Sequence, residues 1–104
     1  MILEEFYQQL LLLGVPVAYR VFEEEQTPPY IIYFRMNDDG VDADDRTYFK
    51  VPHVQLELYT LTRDLALEAR IEALLDAIDV PYECDEIYIE SEKLTETIYE
   101  FDLL

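Results

Sequence analysis

The chain has 104 residues, of which 51% are hydrophobic, and 24 Asp and Glu against 7 Lys and Arg give a formal net charge of −17. This length is typical of one domain, so we expect a single domain over residues 1–104. The apolar content excludes a disordered acidic tail, and the charge excludes DNA binding by phosphate neutralisation and argues against docking on anionic membranes.

The sequence begins with a predicted helix at residues 2–13, where apolar residues recur at helical spacing before a glycine and a proline end it. Residues 17–22 then predict a strand. Residues 23–29 contain three consecutive glutamates and two prolines and predict a loop. Residues 30–36 are rich in β-branched and aromatic side chains and predict the next strand.

An acidic segment follows at residues 37–49, which we expect to form a long, mobile loop. Its aspartates and one tyrosine are candidate interaction residues: Asp38, Asp39, Asp42, Asp44, Asp45 and Tyr48. An EF-hand does not fit, because placing Gly40 at the required glycine puts Arg35 and Arg46 at ligand positions. The segment is interpreted as a solvated acidic loop, with a weak divalent-ion site as the alternative.

The second half of the chain contains the clearest elements. Residues 51–61 alternate as a strand, and residues 63–78 predict a helix with Thr62 as its N-cap. One apolar stripe of this helix is expected to lie on a sheet, formed by Leu67, Ile71, Leu74, Leu75 and Ile78. Its acidic residues Glu68, Glu72 and Asp76 are expected mostly on the solvent side.

Residues 86–90 and 97–103 predict two final strands joined by a short connection. The element order is therefore α-β-β-β-α-β-β. This order predicts an α+β fold in which two helices pack on one face of a mostly antiparallel sheet.

Few residues suit metal binding or catalysis. The single cysteine, Cys84, and the single histidine, His53, exclude an internal disulfide and any site that needs two histidines. Two glycines leave no phosphate-cradling loop. His53, Glu57 and Tyr59 share one strand face, but no nucleophile, orienting group and oxyanion hole accompany them. Acidic neighbours are expected to raise the pKa of Cys84 and make it inert, so we expect no enzyme, cofactor or metal site.

Nine tyrosines make the chain rich in aromatic residues. Many of them could simply line strands, but a buried phenol needs a hydrogen-bond partner, and tyrosine is favoured on half-buried contact surfaces. Tyr59 and Tyr88 therefore join Tyr48 as candidate interaction residues.

Acidic residues near the N-terminus and the short apolar run at residues 10–13 fit neither a signal peptide nor a membrane span of about 20 residues. We therefore expect the protein to be made and kept in a reducing cytoplasm, or in a particle assembled there.

The chain from His53 onward resembles a family of phage proteins. The similarity consists of a Val-x-Leu-x-Leu-Tyr-Thr strand, a Thr-x-Asp-Leu helix start, a tyrosine before the fourth strand, a Glu-Ser-Glu-Lys-Leu turn and an Ile-Tyr-Glu-Phe terminal strand. These are Val54–Thr60, Thr62 with Asp64 and Leu65, Tyr82, residues 90–94 and residues 98–101. The family is that of the tail-terminator and tail-to-head joining (tail completion) proteins of long-tailed phages and prophages.

The resemblance implies a small α+β subunit that forms a ring homo-oligomer, often a hexamer, at the tail end or head–tail junction of the virion. The implied partners are the tail-tube protein and the head-connector protein, with no direct nucleic-acid affinity and no catalytic residues. The alternative function is an acidic inhibitor or nucleic-acid mimic that binds a basic host protein, which the net charge would suit.

Overall fold

A computed structural model describes residues 1–36 and 51–103. Within them the chain forms two helices and five strands in the predicted order. The elements are α1 (Leu3–Leu11), β1 (Val17–Tyr19), β2 (Tyr30–Arg35), β3 (His53–Thr60), α2 (Leu65–Ala77), β4 (Tyr82–Ile89) and β5 (Leu94–Asp102). The α+β class is confirmed.

The strands form one sheet in the spatial order β1-β2-β3-β5-β4. Three of the pairings are antiparallel, whereas β1 and β2 run parallel, so the sheet is mixed. Parallel neighbours cannot be joined by a tight hairpin. The chain between residues 19 and 30 must therefore return along the sheet before β2 can begin.

Both helices pack on the same face of the sheet, as predicted. Phe6 of α1 packs edge-on against Phe101 of β5 and Tyr33 of β2, with ring centroids 5.3 and 6.1 Å apart. On α2, Leu67, Ile71 and Leu75 of the predicted apolar stripe are buried in the same core. Alternate residues of β3 and β5 complete this core, since successive side chains of a strand point to opposite faces.

The predicted cap of α2 was wrong. The helix begins at Leu65 and its N-cap is Asp64, whose carboxylate accepts a hydrogen bond from the Leu67 backbone N–H at 3.0 Å. Thr62 lies two residues before this position and is exposed. A carboxylate at the N-cap is also favoured by the positive end of the helix dipole.

The solvent-side assignment of the α2 acids was wrong for Glu68, which is only 4% exposed. Its carboxylate accepts from Arg63 Nε at 3.1 Å and from Arg63 Nη2 at 3.3 Å. Glu72 is half-buried and accepts a hydrogen bond from the hydroxyl of Tyr99 at 3.0 Å, while Asp76 is exposed as expected. The sheet-facing side of α2 is thus wider than the apolar stripe and includes Glu68 and Glu72. Each of these two carboxylates accepts a hydrogen bond from a nearby side chain.

Several strand ends differ from the predictions. β1 ends at Tyr19 rather than residue 22, because Arg20 takes a positive φ of 69° and the Val21 N–H turns back to the Tyr19 carbonyl. β4 begins four residues earlier than predicted, at Tyr82, and β5 begins at Leu94 rather than Thr97. Within the described residues, no helix is long and apolar enough to cross a membrane.

A candidate interaction surface on the open sheet face

The second face of the sheet has neither helix packed on it, and we call it the open face. Cross-strand pairing places its residues in rows. From β2 to β4 the rows are Tyr30, Tyr59, Glu96 and Ile87; Ile32, Glu57, Ile98 and Asp85; and Phe34, Gln55, Glu100 and Glu83. The β2 side is therefore apolar and aromatic, whereas most of the acids lie on β5 and β4. An aromatic surface beside a polar one is typical of protein–protein contacts.

A tyrosine and two carboxylates meet in the middle of this face. The Tyr59 ring stacks on Tyr30 with centroids 5.0 Å apart. Its hydroxyl donates to Glu57 Oε1 at 2.8 Å and lies 3.2 Å from Glu96 Oε2. A phenol has only one proton to donate, so it cannot fully satisfy both carboxylates.

The electrostatic consequence falls on Glu96. Partial burial, followed by the charge of Glu57 beside it, raises the pKa of Glu96. Burial and the bond to Glu57 also raise the pKa of Tyr59 well above its ordinary value, so the phenol keeps its proton. Glu96 therefore binds a proton more readily than an isolated carboxylate would, because both burial and a nearby negative charge disfavour its ionised form.

His53, which was predicted to share this face of β3 with Glu57 and Tyr59, has a different partner. His53 is opposite Asp102, and its Nδ1 lies 2.7 Å from Asp102 Oδ1. The prediction that His53, Glu57 and Tyr59 share a face is confirmed. However, His53 pairs with Asp102 at one end of β3, whereas Glu57 and Tyr59 bond to each other farther along the strand. This face therefore carries two separate polar pairs.

One end of the open face forms a groove of about 550 Å³, which we call the acidic groove. The returning segment after β1 brings Phe22 against Tyr30, with ring centroids 5.5 Å apart, and these two aromatic residues line the groove. Leu94 also lines it and is only 7% exposed. Four residues with carboxylate side chains also line it: Glu23, Glu24, Glu25 and Glu92.

Of the predicted interaction residues, only Tyr59 and Tyr88 lie in the part of the chain that the structure describes. Asp38, Asp39, Asp42, Asp44, Asp45 and Tyr48, with the whole predicted loop at 37–49, lie outside the described residues. Tyr59 is half-buried on the open face. Tyr88 is 59% exposed on β4, and its register with the buried Thr95 places it on the helix-covered face. Tyr59 and Tyr88 thus belong to different surfaces.

Cys84 lies on the exposed strand β4. Burial raises the pKa of its thiol, as do the charges of Glu72 and Glu68 from α2. The direction agrees with the prediction, but the cause is packing near the helix rather than the acidic sequence neighbours. Among the described residues, no group of three or more histidine, cysteine or acidic side chains is placed to hold a metal ion.

Sequence reasoning missed the acidic groove. It interpreted residues 23–29 only as a connection and did not single out Phe22, Tyr30 or Glu92. The available signal was an aromatic residue directly before three glutamates and another directly after two prolines. That pattern shows a loop with aromatic ends, but the contact between those ends depends on the parallel pairing of β1 and β2.

Comparisons of this chain with protein-family models, with curated proteins and with solved structures found no match.

Proposed function

We propose that this protein is a structural virion assembly protein that forms a ring, a hexamer in its simplest form, at the head–tail junction or tail end of a long-tailed phage. The observation that carries the proposal is the open face: both helices pack on one side of the sheet, and aromatic and aliphatic side chains remain on the other. A ring subunit needs such surfaces, because it must contact its neighbours and also dock on tail and head proteins.

Two further features support this proposal. The element order and the helix-on-sheet packing agree with the fold that the phage-family resemblance implies. The open face also uses its tyrosine and acids to bond one another, as Tyr59 and Glu57 do, rather than to build a nucleophile with an activating base. We therefore propose a binding role without catalysis.

The acidic half of the open face favours one alternative, an inhibitor or nucleic-acid mimic for a basic host protein. Its carboxylates repeat along β4 and β5: Glu83, Asp85, Glu96, Glu100 and Asp102. Such a surface would attract a basic partner over a distance set by ionic strength. The two functions differ in whether the purified chain assembles with itself.

Native mass measured over a wide range of protein concentration distinguishes them. We expect a discrete ring-sized oligomer at physiological salt. Phe34→Ser, on the apolar side of the open face, should weaken assembly, whereas Leu12→Ser, which removes an exposed apolar side chain at the C-cap of α1, should not. Circular dichroism should show that both variants keep the fold. A monomer at every concentration would contradict the ring and favour the alternative.

A further inference from the structure

The acidic groove combines an apolar floor with a charged rim. Among the residues that line it, Phe22 and Tyr30 are half-buried and Leu94 is buried, and they form the floor. The exposed residues Glu23, Glu24, Glu25 and Glu92 form the rim. A floor of this kind removes apolar parts of a ligand from water, while the rim attracts positive charge. The two properties together suit a cation carried on an apolar stem.

The charges of the rim act on the floor. Burial raises the pKa of Tyr30, and the carboxylates of Glu92, Glu25 and Glu96 raise it further. Glu92 likewise contributes to the raised pKa of Glu96. The groove is therefore a region of concentrated negative potential, and none of the residues that line it is basic.

Three of the described arginines, Arg20, Arg63 and Arg70, bond to groups that do not line the groove. Arg63 bonds Glu68, and the guanidinium of Arg70 donates to the Leu12 carbonyl at 3.3 Å. Arg20 donates to the Arg35 carbonyl, and its guanidinium lies 5.4 Å from the Phe34 ring centroid. Lys93 adjoins Glu92 in the sequence but is not among the residues that line the groove. A cation for the groove is thus better supplied by another molecule.

We propose that the acidic groove binds a Lys or Arg side chain from a basic segment of a second protein. The alkyl stem would lie on the Leu94 side of the floor, and the cationic head would meet the glutamates and the aromatic rings. A hard divalent ion suits the groove less well, because it needs several converging oxygen ligands rather than an aromatic floor. The proposal rests on the proposed function only in taking the protein to act by binding other proteins.

The experiment titrates the full chain with the peptide acetyl-Gly-Arg-Gly-Arg-Gly-amide at about 0.15 M salt, where long-range attraction is screened. Backbone amide NMR shifts report the site. We expect changes concentrated at residues 22–32, 61 and 92–94. The same peptide with neutral citrulline in place of arginine should not bind.

Matched variants separate the groove from general acidity. Glu25→Gln with Glu92→Gln should raise the peptide Kd at least ~5-fold, whereas Glu4→Gln with Asp76→Asn, which removes the same charge from exposed helix positions, should change it less than ~2-fold. Phe22→Leu should weaken binding without changing charge. Equal weakening by both pairs, shifts scattered over β4 and β5, or equal binding of the citrulline peptide would each overturn the proposal.

Measuring the native mass of the same variants tests the groove proposal separately from the proposed ring. Glu25→Gln with Glu92→Gln should assemble as Glu4→Gln with Asp76→Asn does, because each pair removes two negative charges. If that pair abolishes assembly, the occupant is a second copy and the proposed foreign partner is wrong. A chain that stays monomeric but binds the peptide in the groove would contradict the ring and leave the groove proposal standing.

Discussion

Individual carboxylates in this protein differ in how well they are neutralised. Glu68 is buried, but its two oxygens receive two bonds from one guanidinium, and Glu72 receives the Tyr99 hydroxyl. Glu57 accepts from the Gln55 side-chain amide and also from Tyr59, whose single proton lies between Glu57 and Glu96. Burial and the nearby charge of Glu57 both favour the protonated form of Glu96. Replacing Glu96 should therefore change how the free energy of unfolding depends on pH.

We predict that Glu96→Gln stabilises the protein near neutral pH by about 0.5 kcal/mol, a value discounted for solvent screening at a partly exposed site. The pKa of Glu96 is raised in the native state, so the folded chain holds this proton to higher pH than the unfolded chain. Stability from this group is present at low pH and is lost as pH rises from the unfolded value of 4.5 through the native pKa. The neutral amide should remove that loss.

Urea denaturation from about pH 4 to pH 8 measures this effect. Glu90→Gln, in the exposed turn before β5, removes the same charge without touching the Glu57–Tyr59 pair and is the control. Parallel stability curves for the two variants across this range would show that the pair has no special role.

At the scale of elements, hydrophobic periodicity and residue type predicted the order of the seven elements that the described residues form, because both depend on which side chains face the core. They did not predict element ends, which depend on a few backbone contacts. β4 begins at Tyr82, which pairs with Phe101, although the acidic residues Glu83 and Asp85 are more typical of a loop. An edge strand with an open outer side can carry such charges, and charged edges discourage uncontrolled pairing with other chains.

On the open face, too, periodicity predicted which residues share a face but not the contacts that depend on strand pairing. Alternation in β3 predicted correctly which residues share a face, since that follows from the period of a strand. The acidic groove could not be predicted, because it needs the parallel pairing of β1 with β2 and the resulting contact of Phe22 with Tyr30. Tyr88, which was chosen by residue type, lies on the helix-covered face because of its register with Thr95, and residue type does not predict that register.

We predict that Asp64→Ala lowers the free energy of unfolding by about 1 kcal/mol through loss of the α2 N-cap. Thr62→Ala, at the cap expected from the sequence, should change it by less than ~0.5 kcal/mol because this side chain is exposed. Asp64→Asn loses the same charge as Asp64→Ala but keeps a capping oxygen, so it should remain close to the unmodified protein. Chemical denaturation of the three variants decides the matter, and a larger loss for Thr62→Ala than for Asp64→Ala would return the cap to Thr62.

At the scale of the whole molecule, the net charge of −17 opposes any contact between two copies. If the copies nevertheless form a ring, apolar contacts on surfaces such as the open face must outweigh this repulsion. The same charge would suit the wall of a passage for DNA, because acidic side chains make no phosphate contacts and release no counterions. We therefore expect salt to strengthen self-association, and we expect no affinity for DNA.

We predict that self-association strengthens as salt rises from about 0.01 M to 0.15 M, since the Debye length falls from about 30 Å to about 8 Å and screens the repulsion. Native mass or sedimentation at fixed protein concentration measures this. Sodium chloride and magnesium chloride at equal ionic strength should act alike if screening is the cause, and Glu4→Gln with Asp76→Asn should need less salt because the chain then carries two fewer charges.

Duplex DNA should show no measurable binding at any of these concentrations, because the surface lacks the cationic excess that phosphate contacts require. An oligomer that dissociates when salt is raised to 0.15 M, or tight binding of duplex DNA, would contradict a ring held together by apolar contacts against its own charge.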